Sequence, residues 1–283
     1  MTESRAILLV IVVAFLWAAA ALAAHAVASG VDPGLFLLVE FMVAYLALGV
    51  IYRSRMRCLG FKPALQGILL GVLLFILHYL VLSHPEISPF VAINSMSLSI
   101  IVIAILWAAI SREGLGIWAG ASIIMCAAGV YLVNPMYDFV FLAILVVFAF
   151  HVVFTAIFVR HSAPEHLVVV QTAVATILSI TTLHLDGKAM ANMWAWVVCV
   201  LTGLLGVAWG VLVQTRAQRL LSPIKVGVLF TLQSVVVFGF LGLTSGTDLG
   251  HGAIIGVALI VSGIVAGLKI NSTSRETVPR IDG

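Results

Sequence analysis

Residues 88–133 read SPFVAINSMSLSIIVIAILWAAISREGLGIWAGASIIMCAAGVYLV, and residues 222–267 read SPIKVGVLFTLQSVVVFGFLGLTSGTDLGHGAIIGVALIVSGIVAG. An offset of 134 residues superposes Ser88-Pro89 on Ser222-Pro223, Leu115-Gly116 on Leu249-Gly250 and Gly129 on Gly263. Three landmarks held in phase across two hydrophobic runs indicate a duplicated chain, and a repeat of this length decides the architecture before any single element does.

Outside the quoted stretches the composition points the same way. With 63% hydrophobic and 9% charged residues over 283 positions, the chain carries more apolar surface than one water-soluble core could hide. It reads as an all-α integral membrane protein. Apolar runs of about 20 residues cross a roughly 30 Å hydrocarbon core as helices and are too long for barrel strands. Ten spans are predicted, at 6–28, 34–53, 64–83, 87–110, 115–134, 138–159, 165–185, 193–216, 223–244 and 250–270. Breakers or charges mark the joints, among them Asp32-Pro33-Gly34, Arg112-Glu113-Gly114, Ala163-Pro164-Glu165 and Leu221-Ser222-Pro223. Cys58, Cys126 and Cys199 lack metal-ligand spacing and are expected as free thiols.

Assigned alternately to two sides, the loops and termini place Arg5, Arg53, Arg55, Arg57, Lys62, Arg112, Arg160, Arg216, Arg219, Lys225, Lys269, Arg275 and Arg280 on one face and only Lys188 on the other. By the positive-inside rule both termini are cytoplasmic. Arg5, an apolar run and Ala26-Val27-Ala28 also resemble a secretory signal, but the run is longer than a signal core and contains Trp17. The net charge of +3 reports orientation and gives no support to nucleic-acid binding. Five spans per repeat is an odd number, so the second copy enters the membrane in the opposite sense. Inverted repeats of this kind build secondary transporters, with the site near mid-depth between the halves. The expected division is a first repeat over 1–135, a second over 136–270 and a disordered cytoplasmic tail over 271–283.

Phe15-Leu16-Trp17 in the first span, Pro33 before the second, Ser88-Pro89 before the fourth, Glu113 ahead of the fifth and the late Gly129 and Gly263 resemble the drug/metabolite transporter superfamily, in particular its EamA-type ten-helix exporters. The resemblance covers residues 5–270. It implies two inverted five-helix repeats around a central cavity that moves amino acids or similar small metabolites across the inner membrane. The chain departs from the family pattern at Glu40, where many relatives carry Arg, and at Gln233-Ser234, where Glu-Pro is frequent.

Eight residues are the candidates for substrate binding. Glu40 lies about two turns into the second span, where a carboxylate is costly unless it is protonated, paired or facing water, so it suits a proton or a cationic substrate. Trp17 and His151 fall opposite each other under the repeat offset and would offer an aromatic ring from each half. His78 and Tyr79 bring polar groups to the third span. Asn94 with Ser95, Ser97 and Ser99 makes a polar stripe on the fourth, and Gln233 with Thr231 and Ser234 does so on the ninth. Trp209 follows in the eighth. Glycine pairs at four-residue spacing, such as Gly116 with Gly120 and Gly263 with Gly267, mark the fifth and tenth spans as packed supports.

The expected partners are a small-molecule substrate and the lipid bilayer, with protons one coupling ion and facilitated diffusion equally allowed. No cofactor, metal or nucleic acid is implied, and the expected state is a monomer or weak homodimer. An intramembrane sensor or enzyme is the competing class. The embedded Ser and His residues show no spacing of nucleophile and base that would favour an enzyme.

Overall fold

The computed structural model describes residues 1–28, 30–84, 89–112, 114–133, 138–183, 193–245 and 250–270. Ser88, Glu113, Lys188, Thr247, the joint at 135–136 and the tail at 271–283 lie outside them. Among the described residues ten helical segments follow one another: α1 (Glu3–Ala28), α2 (Pro33–Met56), α3 (Phe61–Leu82), α4 (Pro89–Ser111), α5 (Ile117–Val133), α6 (Phe139–Phe158), α7 (Pro164–Ile180), α8 (Met193–Ala217), α9 (Pro223–Thr244) and α10 (His251–Leu268). Eight are long and apolar enough to cross a membrane, while α5 and α7 have 17 residues each. At 1.5 Å per residue those two reach about 25 Å.

Local chemistry explains the boundaries. Asp32 caps α2 by accepting from the Leu35 amide at 2.8 Å, and Ser222 caps α9 by accepting from the Lys225 amide at 3.2 Å. In each case Pro fills the first helical position, where no amide is missed. The seventh span was expected to run to 185 but α7 stops at Ile180. There the Thr181 and Thr182 hydroxyls donate to the carbonyls of Leu178 and Ser179 and satisfy the free helix end.

Contacts between ends show that the helices alternate in direction. Glu165 at the start of α7 pairs with Arg55 at the end of α2 (3.1 Å) and Arg216 at the end of α8 (2.6 Å). Glu3 at the start of α1 meets Lys225 at the start of α9 at 2.7 Å. Arg219 reaches the carbonyls of Val159 and Ser162 after α6, Ser162 donates to Gln66 near the start of α3, and Arg160 lies over Trp107 near the end of α4. Lys269 after α10 covers Trp118 at the start of α5. Odd-numbered helices therefore start, and even-numbered helices end, at one face lined with basic side chains.

The packing follows an exchange of each helix with the one five places on. α3 against α7 corresponds to α8 against α2, α3 against α6 to α8 against α1, and α4 against α6 to α9 against α1. The pairs α2 with α7, α4 with α9 and α5 with α10 correspond to themselves. The last is the most extensive, and its contacts are reciprocal at the offset of the sequence repeat. Ser122 Oγ donates to the Gly263 carbonyl at 2.7 Å. At the image of that contact, a Cβ on Gly129 would lie 2.5 Å from the Gly256 carbonyl, and one on Gly256 would lie 2.6 Å from that of Gly129. Only glycine allows the two backbones so close. Gly116, Gly120 and Gly252, expected in the same role, meet open space instead.

Large apolar side chains such as Leu46, Val50, Ile105, Ile124 and Val265 are exposed on the outside, while Asn94, Ser97, Gln171, Gln214 and Gln233 are buried. That inversion of a soluble core is what a hydrocarbon surround dictates.

Candidate functional site

Between α1, α2, α3, α4, α6 and α8 lies a cavity of about 100 Å³, several times the ~15 Å³ that one water needs. Its walls come from the second halves of α1 and α3 and the first halves of α2 and α4, so it extends from mid-depth toward the face opposite the basic one. Trp17, Glu40, His78 and His151 line it, among mainly apolar neighbours such as Phe36, Leu77 and Phe148.

Trp17 sits at the inner end of the cavity. Its ring stacks on Phe230 at 5.0 Å and meets Phe148 edge-on at 6.3 Å, and its indole Nε1 donates to the Gly206 carbonyl at 2.9 Å. That carbonyl belongs to a π-helical stretch of α8, Thr202–Val211, where the wider winding disturbs the ordinary ladder. Glycines make room for it: a Cβ on Gly210 would lie 2.6 Å from the Trp17 Nε1, and one on Gly203 would lie 2.5 Å from the Glu40 carbonyl.

Glu40 is buried, with Thr202 in hydrogen-bonding reach and Oε2 left without a partner. His78 Nδ1 lies 3.0 Å from the Leu74 carbonyl, which can only accept, so this nitrogen is the donor and the neutral form of the ring would offer Nε2 as an acceptor. The His78 ring also packs edge-on to Phe41 at 5.1 Å. His151 Nε2 lies 3.2 Å from Gln171 Oε1, and its Nδ1 has no partner. His78 is within electrostatic reach of both Glu40 and His151. The cavity thus combines a carboxylate oxygen and an imidazole nitrogen free to accept with flat aromatic walls.

The other four expected residues stand apart from these walls. Tyr79 stacks on Phe75 at 5.7 Å beside the cavity. Trp209 packs against the apolar core. Asn94 and Gln233 are fully buried, each with both amide atoms unpartnered, on α4 and α9 where Ser97 and Ser234 hydrogen-bond at 2.8 Å.

Gln171, which fixes His151, was missed by sequence reasoning. Pro33 starts α2 and Pro164 starts α7, and seven residues after each come Glu40 and Gln171. The surroundings match: Gly203 of α8 presses on the Glu40 carbonyl with Val43 alongside, and Gly71 of α3 presses on the Gln171 carbonyl with Val174 alongside. Counting from the prolines, in place of a constant offset, would have found it.

A second space, of about 370 Å³, lies at the basic face between the ends of α4 and α10 and the starts of α5 and α9. It contains none of the eight expected residues.

Residues 135–267 match the model of the EamA-like transporter family. That stretch, just under half of the chain, is similar to a family of membrane transporters. A crystal structure of another protein, 20% identical, superposes with a TM-score of 0.75 over 94% of this chain and 96% of that one, so the fold is shared across both halves. No curated protein matches the sequence.

Proposed function

We propose that the protein exports amino acids or similar small metabolites that join a cationic nitrogen to an apolar or aromatic body. Transport proceeds by alternating access between two inverted repeats, residues 1–135 and 136–270. The observation that carries this reading is Glu40, a buried carboxylate with a free oxygen, in the wall of an otherwise apolar cavity. A carboxylate in an apolar wall attracts an ammonium group strongly because little water screens their charges. Trp17 and Phe148 supply flat faces for the body of the substrate, and His78 supplies an acceptor. Asn94 and Gln233, with amide groups unpartnered in the observed state, join the path when α4 and α9 move; Tyr79 and Trp209 support its walls.

The basic face is the cytoplasmic one by the positive-inside rule, with both termini on it, in the inner membrane. The cavity then opens away from the cytoplasm, as a release state of an exporter does.

Flux of radiolabelled amino acids and amines in reconstituted liposomes tests this reading. Wild-type protein is expected to move a cationic or zwitterionic substrate, and Glu40→Gln to lose at least about tenfold, the value of a charged hydrogen bond. Equal flux through both proteins refutes the role of Glu40.

A further inference from the structure

The half of the molecule nearer the basic face is not dry by composition. Thr155 Oγ1, Gln171 Nε2 and Gln214 Oε1 are buried there without partners. Matching each helix to the one five places on, with α1–α6 aligned on Trp17 and His151, α2–α7 on Pro33 and Pro164, and α3–α8 on Gly71 and Gly203, sends Thr155 to Ala21, Gln171 to Glu40 and Gln214 to Leu82. All three images line the open cavity.

We propose that Thr155, Gln171 and Gln214 line a second cavity, shut in this structure, that opens to the basic face and carries the substrate between that face and the site. This rests on the transporter reading above. A buried polar atom without a partner weakens the state that buries it, and here three such atoms fall where inverted symmetry places a wall. What fills the space now is equally specific. Ala20 and Ala24 of the open wall have Phe154 and Phe158 as images, stacked at 5.8 Å, and Met96 has Phe230, stacked on Trp17. Opening this half requires those rings to swing away while Trp17 and Phe148 close the other side. The ligand chemistry differs between the two walls: the open one presents the Glu40 carboxylate, and the closed one has the Gln171 amide at that position. A cationic substrate is therefore gripped by Glu40 on one side of the cycle and held by neutral groups on the other.

Sided cysteine labelling tests this in the full chain. In a Cys58→Ser background, with Cys126 and Cys199 buried, Thr155→Cys, Gln214→Cys and Ala21→Cys are treated in membrane vesicles with an impermeant maleimide. Exposed Cys58 of the unmodified protein, at the basic face, reports vesicle orientation. Thr155→Cys and Gln214→Cys are expected to react at least tenfold faster from the basic face, and Ala21→Cys from the opposite face. Where a substitution prevents folding, Val213→Cys, at the image of cavity-lining Val81, replaces it. No reaction from either face, or reaction from the same face as Ala21→Cys, overturns the proposal. Liposome flux read in parallel separates the two claims: sided labelling without flux of the tested amines refutes the substrate reading alone, and flux without sided labelling refutes the second cavity alone.

Discussion

The two halves of this chain have the same helices in the same contacts and differ in what fills the space beside them. Beside α1 to α4 small residues such as Ala20 and Ala21 face inward and a cavity is present, and the kink of α2 at Tyr52 lies away from its walls. In the second half α8 winds as a π-helix through Thr202–Val211, α9 is interrupted at Thr231, and phenylalanines occupy the corresponding space. The lesson is that a duplicated fold stores its asymmetry in side-chain volume and local winding. Helix order is left untouched.

The largest test of that comparison uses the paired glycines. Gly71→Val and Gly203→Val each drive a Cβ against a backbone carbonyl, at 2.7 and 2.5 Å, and each is expected to cost about 3 kcal/mol, the upper end for overpacking. Thermal unfolding of detergent-solubilised protein reads the loss. Similar values sharpen the correspondence of the halves; a loss at one site only breaks it. Next comes the pair Glu40 and Gln171. Moving the acid with Glu40→Gln and Gln171→Glu together is expected to recover amine binding lost in Glu40→Gln alone, within about tenfold, or 1.4 kcal/mol. Isothermal titration checks it, and no recovery would show that the two positions are not equivalent.

A loss smaller than that of the glycine variants is expected at the basic face. Glu165→Gln removes the charge that bridges Arg55 and Arg216 and is expected to destabilise the protein by about 2 kcal/mol. Exposed Arg55 accounts for little of that, so Arg55→Ala should cost under about 1 kcal/mol. Trp17→Phe, which keeps the ring over Phe230 but drops the bond to Gly206, is expected to cost about 1 kcal/mol by the same unfolding assay.

Much of the architecture was legible in the sequence because hydrocarbon imposes length and turn chemistry imposes punctuation. The predicted span at 193–216 is α8 to within one residue at its end, and the one at 223–244 coincides with α9. The gathering of Glu40, Trp17, His78 and His151 around one cavity was legible only as a list of embedded polar and aromatic residues. Gln171 was hidden by a slip in phase. Pro33 follows Trp17 by 16 residues and Pro164 follows His151 by 13, so the offset that pairs Trp17 with His151 lands Glu40 on Val174. The π-helix was not legible at all: Gly203, Gly206 and Gly210 permit close approach, but the winding follows from the Trp17 indole and the Glu40 carbonyl, both distant in the chain.

The glycine seam of α5 and α10 has one more implication. Because that pair is its own counterpart, trading shapes between the halves returns it unchanged, and in the proposed alternating access it would serve as the fulcrum. Residues such as Gly129 and Gly256 then set how firmly the molecule holds together while leaving the balance of its two positions alone, so robustness and pace could evolve as separate traits.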